Sequence, residues 1–278
     1  MKKSISQWSF VKSSLRECME LAKEAGFEAI ELAMDKEGEI TPSSTEDDIK
    51  ALRATADEIG IEISSLATGL FWSYSLTSND PATREKALGI GKRMLEVASW
   101  LEVDAILVVP GAVGVDFVPG SEVIRYDVVY DRALEAIRSL RPVAEQFKVA
   151  VGVENVWNKF LLSPLEMRDF VDHIGSDYVG VYFDVGNVIA TGYPEHWIRI
   201  LGKRIQRVHF KDFRRNVGTL DGFVDLLEGD VNWKEVMAAF REIGYDGYVT
   251  AEMIPPYSHH PEALIYTTSK AMDFILDR

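Results

Sequence analysis

Four ionisable residues, Glu154, Asp184, His209 and Glu252, stand near the ends of short apolar runs, in the segments VGVENVWN, VYFDVGN, VHFKD and VTAEMIPP. They are separated by 30, 25 and 43 residues, which suits one strand and one helix per interval with a longer loop in the last. Taken singly, each has an ordinary structural reading: a glutamate capping a helix or pairing with arginine, an aspartate holding a turn, a histidine hydrogen-bonded in a core. Taken together they predict something sharper. Three carboxylates converging on one point repel and raise each other's pKa. A divalent cation resolves that conflict, and three oxygens with one imidazole suit Mn2+, Mg2+, Co2+ or Zn2+. The expectation is one metal ion held by Glu154, Asp184, His209 and Glu252.

Such a site requires successive strands that end at one level. Strand-like segments run over Ser4–Trp8, Glu28–Ala33, Ile61–Ala67, Asp104–Pro110, Val149–Asn155, Tyr178–Asp184, Ile205–Phe210 and Tyr248–Glu252. Helical patterning lies between them, over Lys12–Ala25, Glu46–Ile59, Pro81–Leu101, Tyr126–Phe147, Pro164–Ile174, Trp233–Ile243 and His260–Leu276. Pro81, Pro164 and Pro261 fall near helix starts, where a missing N–H costs little. Ser163 with Glu166 reads as a capping box. Near-continuous apolar strands such as AILVV (105–109) and VGVYF (179–183) fit a parallel sheet covered by helices. Eight such units without a linker predict an α/β fold, a single (β/α)8 TIM barrel forming one domain over residues 1–278. A doubly wound open sheet is the alternative, and no GxGxxG-like turn supports it. The loops Gly111–Ile124 and Lys211–Asn232 are the longest; on the C-terminal face of a barrel they would be lids or substrate walls.

The 278 residues are 47% hydrophobic and 27% charged, with a formal net charge of −14. That balance disfavours a nucleic-acid partner, which needs a basic face, while a local basic cluster could still meet an anionic small substrate. The one cysteine, Cys18, excludes an intrachain disulfide and reads as a small buried apolar residue. Neither a signal-peptide pattern nor a membrane-spanning run is evident, so a cytoplasmic enzyme without a membrane partner is expected.

The GVEN, YFDVGN, HFKD and TAE segments resemble the xylose-isomerase-like barrel superfamily of sugar isomerases and epimerases. Within it the chain is most similar to the ketose 3-epimerases, both the D-tagatose (D-psicose) 3-epimerases and the L-xylulose/L-ribulose-5-phosphate 3-epimerases. The likeness runs along essentially the whole chain, and its motifs occupy the last four strands. It implies a metal-dependent sugar epimerase, with Mn2+ as the ion of choice, that inverts C3 of a free or phosphorylated ketose. Glu154 and Glu252 would be ligands and also the acid and base, one removing the C3 proton to give a cis-enediolate and the other returning a proton to the opposite face. Asp184 and His209 would be ligands only. Asn187 stands where epimerases of free sugars often carry a histidine for the terminal hydroxyl; asparagine keeps the capacity to hydrogen-bond. Arg215 falls near the family's substrate-binding arginine, with Lys211 and Arg214 beside it, and a KDFRR loop could meet a phosphate. The resemblance also implies a homodimer or homotetramer.

Trp8, Phe71, Trp72 and Trp157 follow the first, third and fifth strands and read either as barrel-mouth packing or as an apolar wall that orients a sugar. Glu31, at the end of the second strand, could hydrogen-bond a substrate hydroxyl. His259 and His260 read as surface residues of a helix start. On the same scaffold, an aldose–ketose isomerase of the hydroxypyruvate or hexulose-phosphate type and an inosose dehydratase differ only in the fate of the abstracted proton. A non-catalytic sugar-binding barrel is a further alternative. DNA-repair AP endonucleases of this superfamily use three zinc ions and many histidines. This chain has 5 histidines, Asn187 at a ligand position and no D-x-H after His209, which excludes that reading.

Overall fold

The computed structural model describes residues 1–11 and 13–278. Eight strands, β1 Lys2–Ser6, β2 Ala29–Met34, β3 Glu62–Thr68, β4 Ala105–Val108, β5 Ala150–Glu154, β6 Val179–Asp184, β7 Ile205–Phe210 and β8 Tyr248–Ala251, pair in sequence order. β8 closes on β1 and every barrel pairing is parallel. Outside lie α1 Leu15–Glu24, α2 Glu46–Ile59, α3 Pro81–Trp100, α4 Tyr126–Phe147, α5 Pro164–Ile174, α6 Pro194–Leu201, α7 Trp233–Ile243 and α8 Pro261–Ile275. The barrel and its closure match the sequence expectation. No helix among the described residues is long and apolar enough to cross a membrane.

Local chemistry sets the element ends. α1 starts behind a reciprocal capping box of Ser14 and Glu17, and α2 behind one of Thr45 and Asp48. The expected start of α1 at Lys12 lies outside the described residues. Pro81, Pro164 and Pro261 each open a helix. The Ser163 box forms only in half: Ser163 accepts the Glu166 N–H, while the Glu166 carboxylate takes the Leu162 N–H and the Tyr126 hydroxyl. β1 is displaced toward the N-terminus from the expected Ser4–Trp8, because the chain turns into a 3-10 turn over Gln7–Ser9 with the Ser6 hydroxyl accepting the Trp8 N–H. α6 was not anticipated; at 8 residues it is too short to show a convincing helical period.

The long loop after β7 is built rather than loose. It contains an antiparallel ribbon, Asp212–Phe213 against Phe223–Val224. The buried Asp212 carboxylate accepts the N–H groups of Phe213, Leu227 and Val231 at 2.9, 3.0 and 3.1 Å, and the Trp233 indole N–H at 2.9 Å. One side chain thereby ties the ribbon, the loop's far end and the start of α7 together.

Candidate metal centre

Side chains alternate across a strand, so residues two apart share a face. Arg207, His209 and Lys211 form one such row from β7 into its loop; Tyr182 and Asp184 form another on β6, Gly152 and Glu154 on β5, Thr250 and Glu252 at β8. Hydrogen bonds across the barrel show these rows pointing inward: Glu31 of β2 meets both Tyr182 of β6 and His209 of β7. The inward place on β5 is a glycine for a packing reason. A Cβ on Gly152 would lie 3.0 Å from Tyr182 Cβ, and the Tyr182 ring packs 4.6 Å from the His209 ring.

The four predicted ligands converge. One donor atom from each of Glu154, Asp184, His209 and Glu252 lies within 4.8 Å of all the others, and all four residues are buried. His209 Nδ1 stands 3.5 Å from Glu154 Oε1, 3.5 Å from Glu252 Oε2 and 3.9 Å from Asp184 Oδ2. Three of these atoms, Asp184 Oδ2, His209 Nδ1 and Glu252 Oε2, have no hydrogen-bond partner despite being buried. An orphaned buried polar atom is costly, and three aimed at one point fit a cation. The remaining histidines, His173, His196, His259 and His260, are exposed and stand apart from the group.

Electrostatics agree with the geometry. Burial pushes the Glu154 carboxyl up to about 7 against the opposing pull of His209 and Lys211. Burial likewise raises Asp184. Burial disfavours a charged His209, yet the carboxylates of Glu31, Glu252 and Glu154 outweigh it and hold the imidazole well above its ordinary range. The field that draws a proton to this imidazole also draws a metal ion, and the two compete for Nδ1.

Behind the four candidate ligands a layer of hydrogen bonds fixes their side chains. Glu31 Oε1 accepts from His209 Nε2 at 2.9 Å, which leaves Nδ1 for the centre. Glu31 Oε2 takes the Ser65 hydroxyl at 2.9 Å and the Tyr182 hydroxyl. Glu31, a candidate for binding a substrate hydroxyl, is fully buried with both oxygens engaged by His209, Ser65 and Tyr182. The Asn155 side chain clamps the Asp184 backbone on both sides at 2.8 Å. Asn187 donates its backbone N–H to Asp184 Oδ1 at 2.8 Å and its Nδ2 to the Asn155 carbonyl at 2.9 Å. Asp184 thus keeps only Oδ2 for the centre.

The basic residues are not where the sequence suggested. Lys211, expected on a substrate loop, is buried with Nζ 2.6 Å from Glu252 Oε2 and 3.0 Å from Asp184 Oδ2. It is at ion-pair distance from both oxygens. Arg215 is folded back: its guanidinium donates to the carbonyls of Ile189 and Gly192 at 2.9 and 3.3 Å and lies over the Tyr193 ring. Arg214 is held by the Glu228 carbonyl at 3.1 Å. Neither arginine reaches the buried group in this structure.

The aromatic wall divides. Trp157 donates its indole N–H to the Asn187 carbonyl at 3.1 Å and packs on Phe213 and Phe223 of the ribbon. On its flank is a cavity of about 640 Å³ that Asn155, Trp157 and Asn187 help to line. Trp72 meets Phe117 edge-on and borders a separate cavity of about 450 Å³. Phe71 is buried and Trp8 half-buried, both packed on the hydrophobic core.

Residues 19–274 match the family described as xylose isomerase-like TIM barrel. The D-psicose 3-epimerase of Enterocloster bolteae is 26% identical over 242 residues, covering 84% of this chain and 75% of that protein. The L-ribulose-5-phosphate 3-epimerase UlaE of Salmonella heidelberg is 23% identical over 270 residues, covering 93% and 87%. A crystal structure of D-psicose 3-epimerase in the presence of D-fructose superposes with a TM-score of 0.82 at 19% identity, covering 100% of both chains. The IOLI protein with a binding zinc atom gives 0.80 at 20% identity, covering 100% of this chain and 98% of that one. At such identities the two structures establish a shared fold.

Proposed function

The chain belongs to the xylose isomerase-like TIM-barrel family, and from that premise we propose that it is a divalent-metal-dependent epimerase inverting C3 of a ketose. One observation carries the reading. Glu154 at the tip of β5 and Glu252 just past β8 both reach the orphaned ligand cluster, with β6 and β7 between them. A bound divalent ion supplies Lewis acidity to a carbonyl and its neighbouring hydroxyl, acidifying the C–H between them. One glutamate takes the C3 proton and the other returns a proton to the opposite face, a cis-enediolate lying between the two steps. Asp184 and His209 hold the ion only. Glu31 and Asn155 hold those two in place, and the Trp157–Phe213–Phe223 cluster keeps water out beside Asn187.

Mn2+ is the ion we assign; Mg2+, Co2+ and Zn2+ fit the same donors. The proposal includes residues 1–278 acting as one domain in the cytoplasm, and a homodimer or homotetramer, which rests on the resemblance. The relatives act on both free and phosphorylated ketoses by name. For this chain an unphosphorylated ketose is favoured, because Lys211 faces carboxylates and Arg214 and Arg215 are engaged by backbone carbonyls. NMR of products from a ketose panel in D2O, with and without a 5-phosphate, tests this. Deuterium at an inverted C3 is expected. An aldose product would instead assign the centre to an isomerase, loss of hydroxide to a dehydratase, and binding without any C–H exchange to a non-catalytic sugar-binding barrel.

A further inference from the structure

The lysine inside the ligand cluster is unexpected and is held there firmly. Lys211 continues the inward row of His209, and its backbone is wedged against Gly186: a Cβ there would lie 2.6 Å from Lys211 Cβ and 2.9 Å from its carbonyl. On its other side Asp212 is pinned by four donors. The ammonium sits 5.2 Å from the centroid of the Phe223 ring, and the residue is 8% exposed. A lysine merely resting on a surface loop would keep its ammonium in water. This one faces Glu252 Oε2 at 2.6 Å and Asp184 Oδ2 at 3.0 Å, two of the three orphaned atoms that point at the cation site.

The charges can be followed directly. Glu154, Asp184 and Glu252 bring three negative charges to one point, Glu31 adds a fourth carboxylate behind His209, and Lys211 brings the one lysine charge that meets two of them. We propose that Lys211 is a built-in counter-cation of the metal centre, sharing Glu252 Oε2 and Asp184 Oδ2 with the ion and lowering its affinity. The inference rests on the metal centre of the preceding section. It gives Lys211 a role that an ordinary phosphate-binding or substrate-binding lysine lacks: the lysine acts on the ion through their common ligands. Charge at such distances is strongly felt in a partly desolvated site, so its removal should tighten cation binding by about tenfold or more.

Calorimetric titration of chelator-stripped protein with MnCl2, without any sugar, tests the proposal. Lys211→Met and Lys211→Gln should both bind Mn2+ at least about tenfold more tightly than the parent chain. Lys211→Arg, which keeps the charge, should stay much closer to the parent. Should Lys211→Met fail to fold by circular dichroism, Lys211→Gln carries the same prediction with a polar side chain. The Mn2+-induced rise in Tm should also be larger in the neutral variants. Mn2+ affinity unchanged or weakened in folded neutral variants overturns the role of Lys211 and leaves the metal centre standing. Absence of Mn2+, Co2+ and Zn2+ binding in the parent and all variants overturns both.

Discussion

Glu31 separates two kinds of role for one carboxylate. Its oxygens accept from His209, Ser65 and Tyr182 inside the barrel, so it acts on the centre through the imidazole. Glu31→Gln should therefore weaken Mn2+ binding by about 10- to 100-fold, the usual effect of a lost carboxylate behind a histidine ligand. At saturating Mn2+ the KM for the ketose should be nearly unchanged; a raised KM with intact metal affinity would instead restore Glu31 to the substrate. Glu154→Gln and Glu252→Gln should each lower kcat by about 100- to 10,000-fold or abolish it, as expected for loss of a general acid or base. Full turnover by either variant would remove it from the proton path. The four converging residues were legible because each is an ionisable residue ending an apolar strand. Lys211 was read as part of a substrate loop, although its two-residue offset from His209 put it on the same inward face. The part played by Glu31 was hidden because it depends on contacts across the barrel, from β2 to β6 and β7, which no local pattern encodes.

At the scale of elements, the loop after β7 carries much of the site. Asp212 directly follows Lys211, and its carboxylate gathers three backbone N–H groups and the Trp233 indole. Asp212→Ala would strand those donors in a buried setting, at about 1–3 kcal/mol for each one that water does not reach. Unfolding in urea should show a clear loss of stability, and amide exchange at Leu227 and Val231 should quicken ahead of the barrel strands. Equal protection in variant and parent would mean that the loop is held elsewhere. In the sequence this loop is legible as long and as a lid or substrate wall, but its ribbon is not, since an antiparallel pair of two residues per strand has no periodicity to detect. The barrel strands β5 to β8 were legible within a residue or so because apolar runs with sharp polar ends mark them. β1 was misplaced where a serine hydroxyl diverts the backbone, and α6 was missed for its shortness.

For the molecule as a whole, the centre joins β5, β6, β7 and the end of β8, half the circumference of the barrel. A cation there ties neighbouring strands through side chains that otherwise repel. It would bind the folded chain and find no such constellation in the unfolded one. Mass action then stabilises the fold by about 2.7 kcal/mol when free ion stands at 100 times its Kd. For a chain this long that corresponds to a rise in Tm of very roughly 5–10 °C. Scanning calorimetry of chelator-stripped protein, with and without added Mn2+, should show that rise, and it should grow with the logarithm of ion concentration. The acidic surface, with a formal net charge of −14, also attracts cations weakly, but that attraction is screened by salt while the buried centre is not. The rise should therefore persist in 0.5 M NaCl and vanish in Asp184→Ala. A Tm indifferent to chelator and Mn2+, or a rise that salt abolishes, would mean that the buried cluster does not hold the ion and that only the surface does.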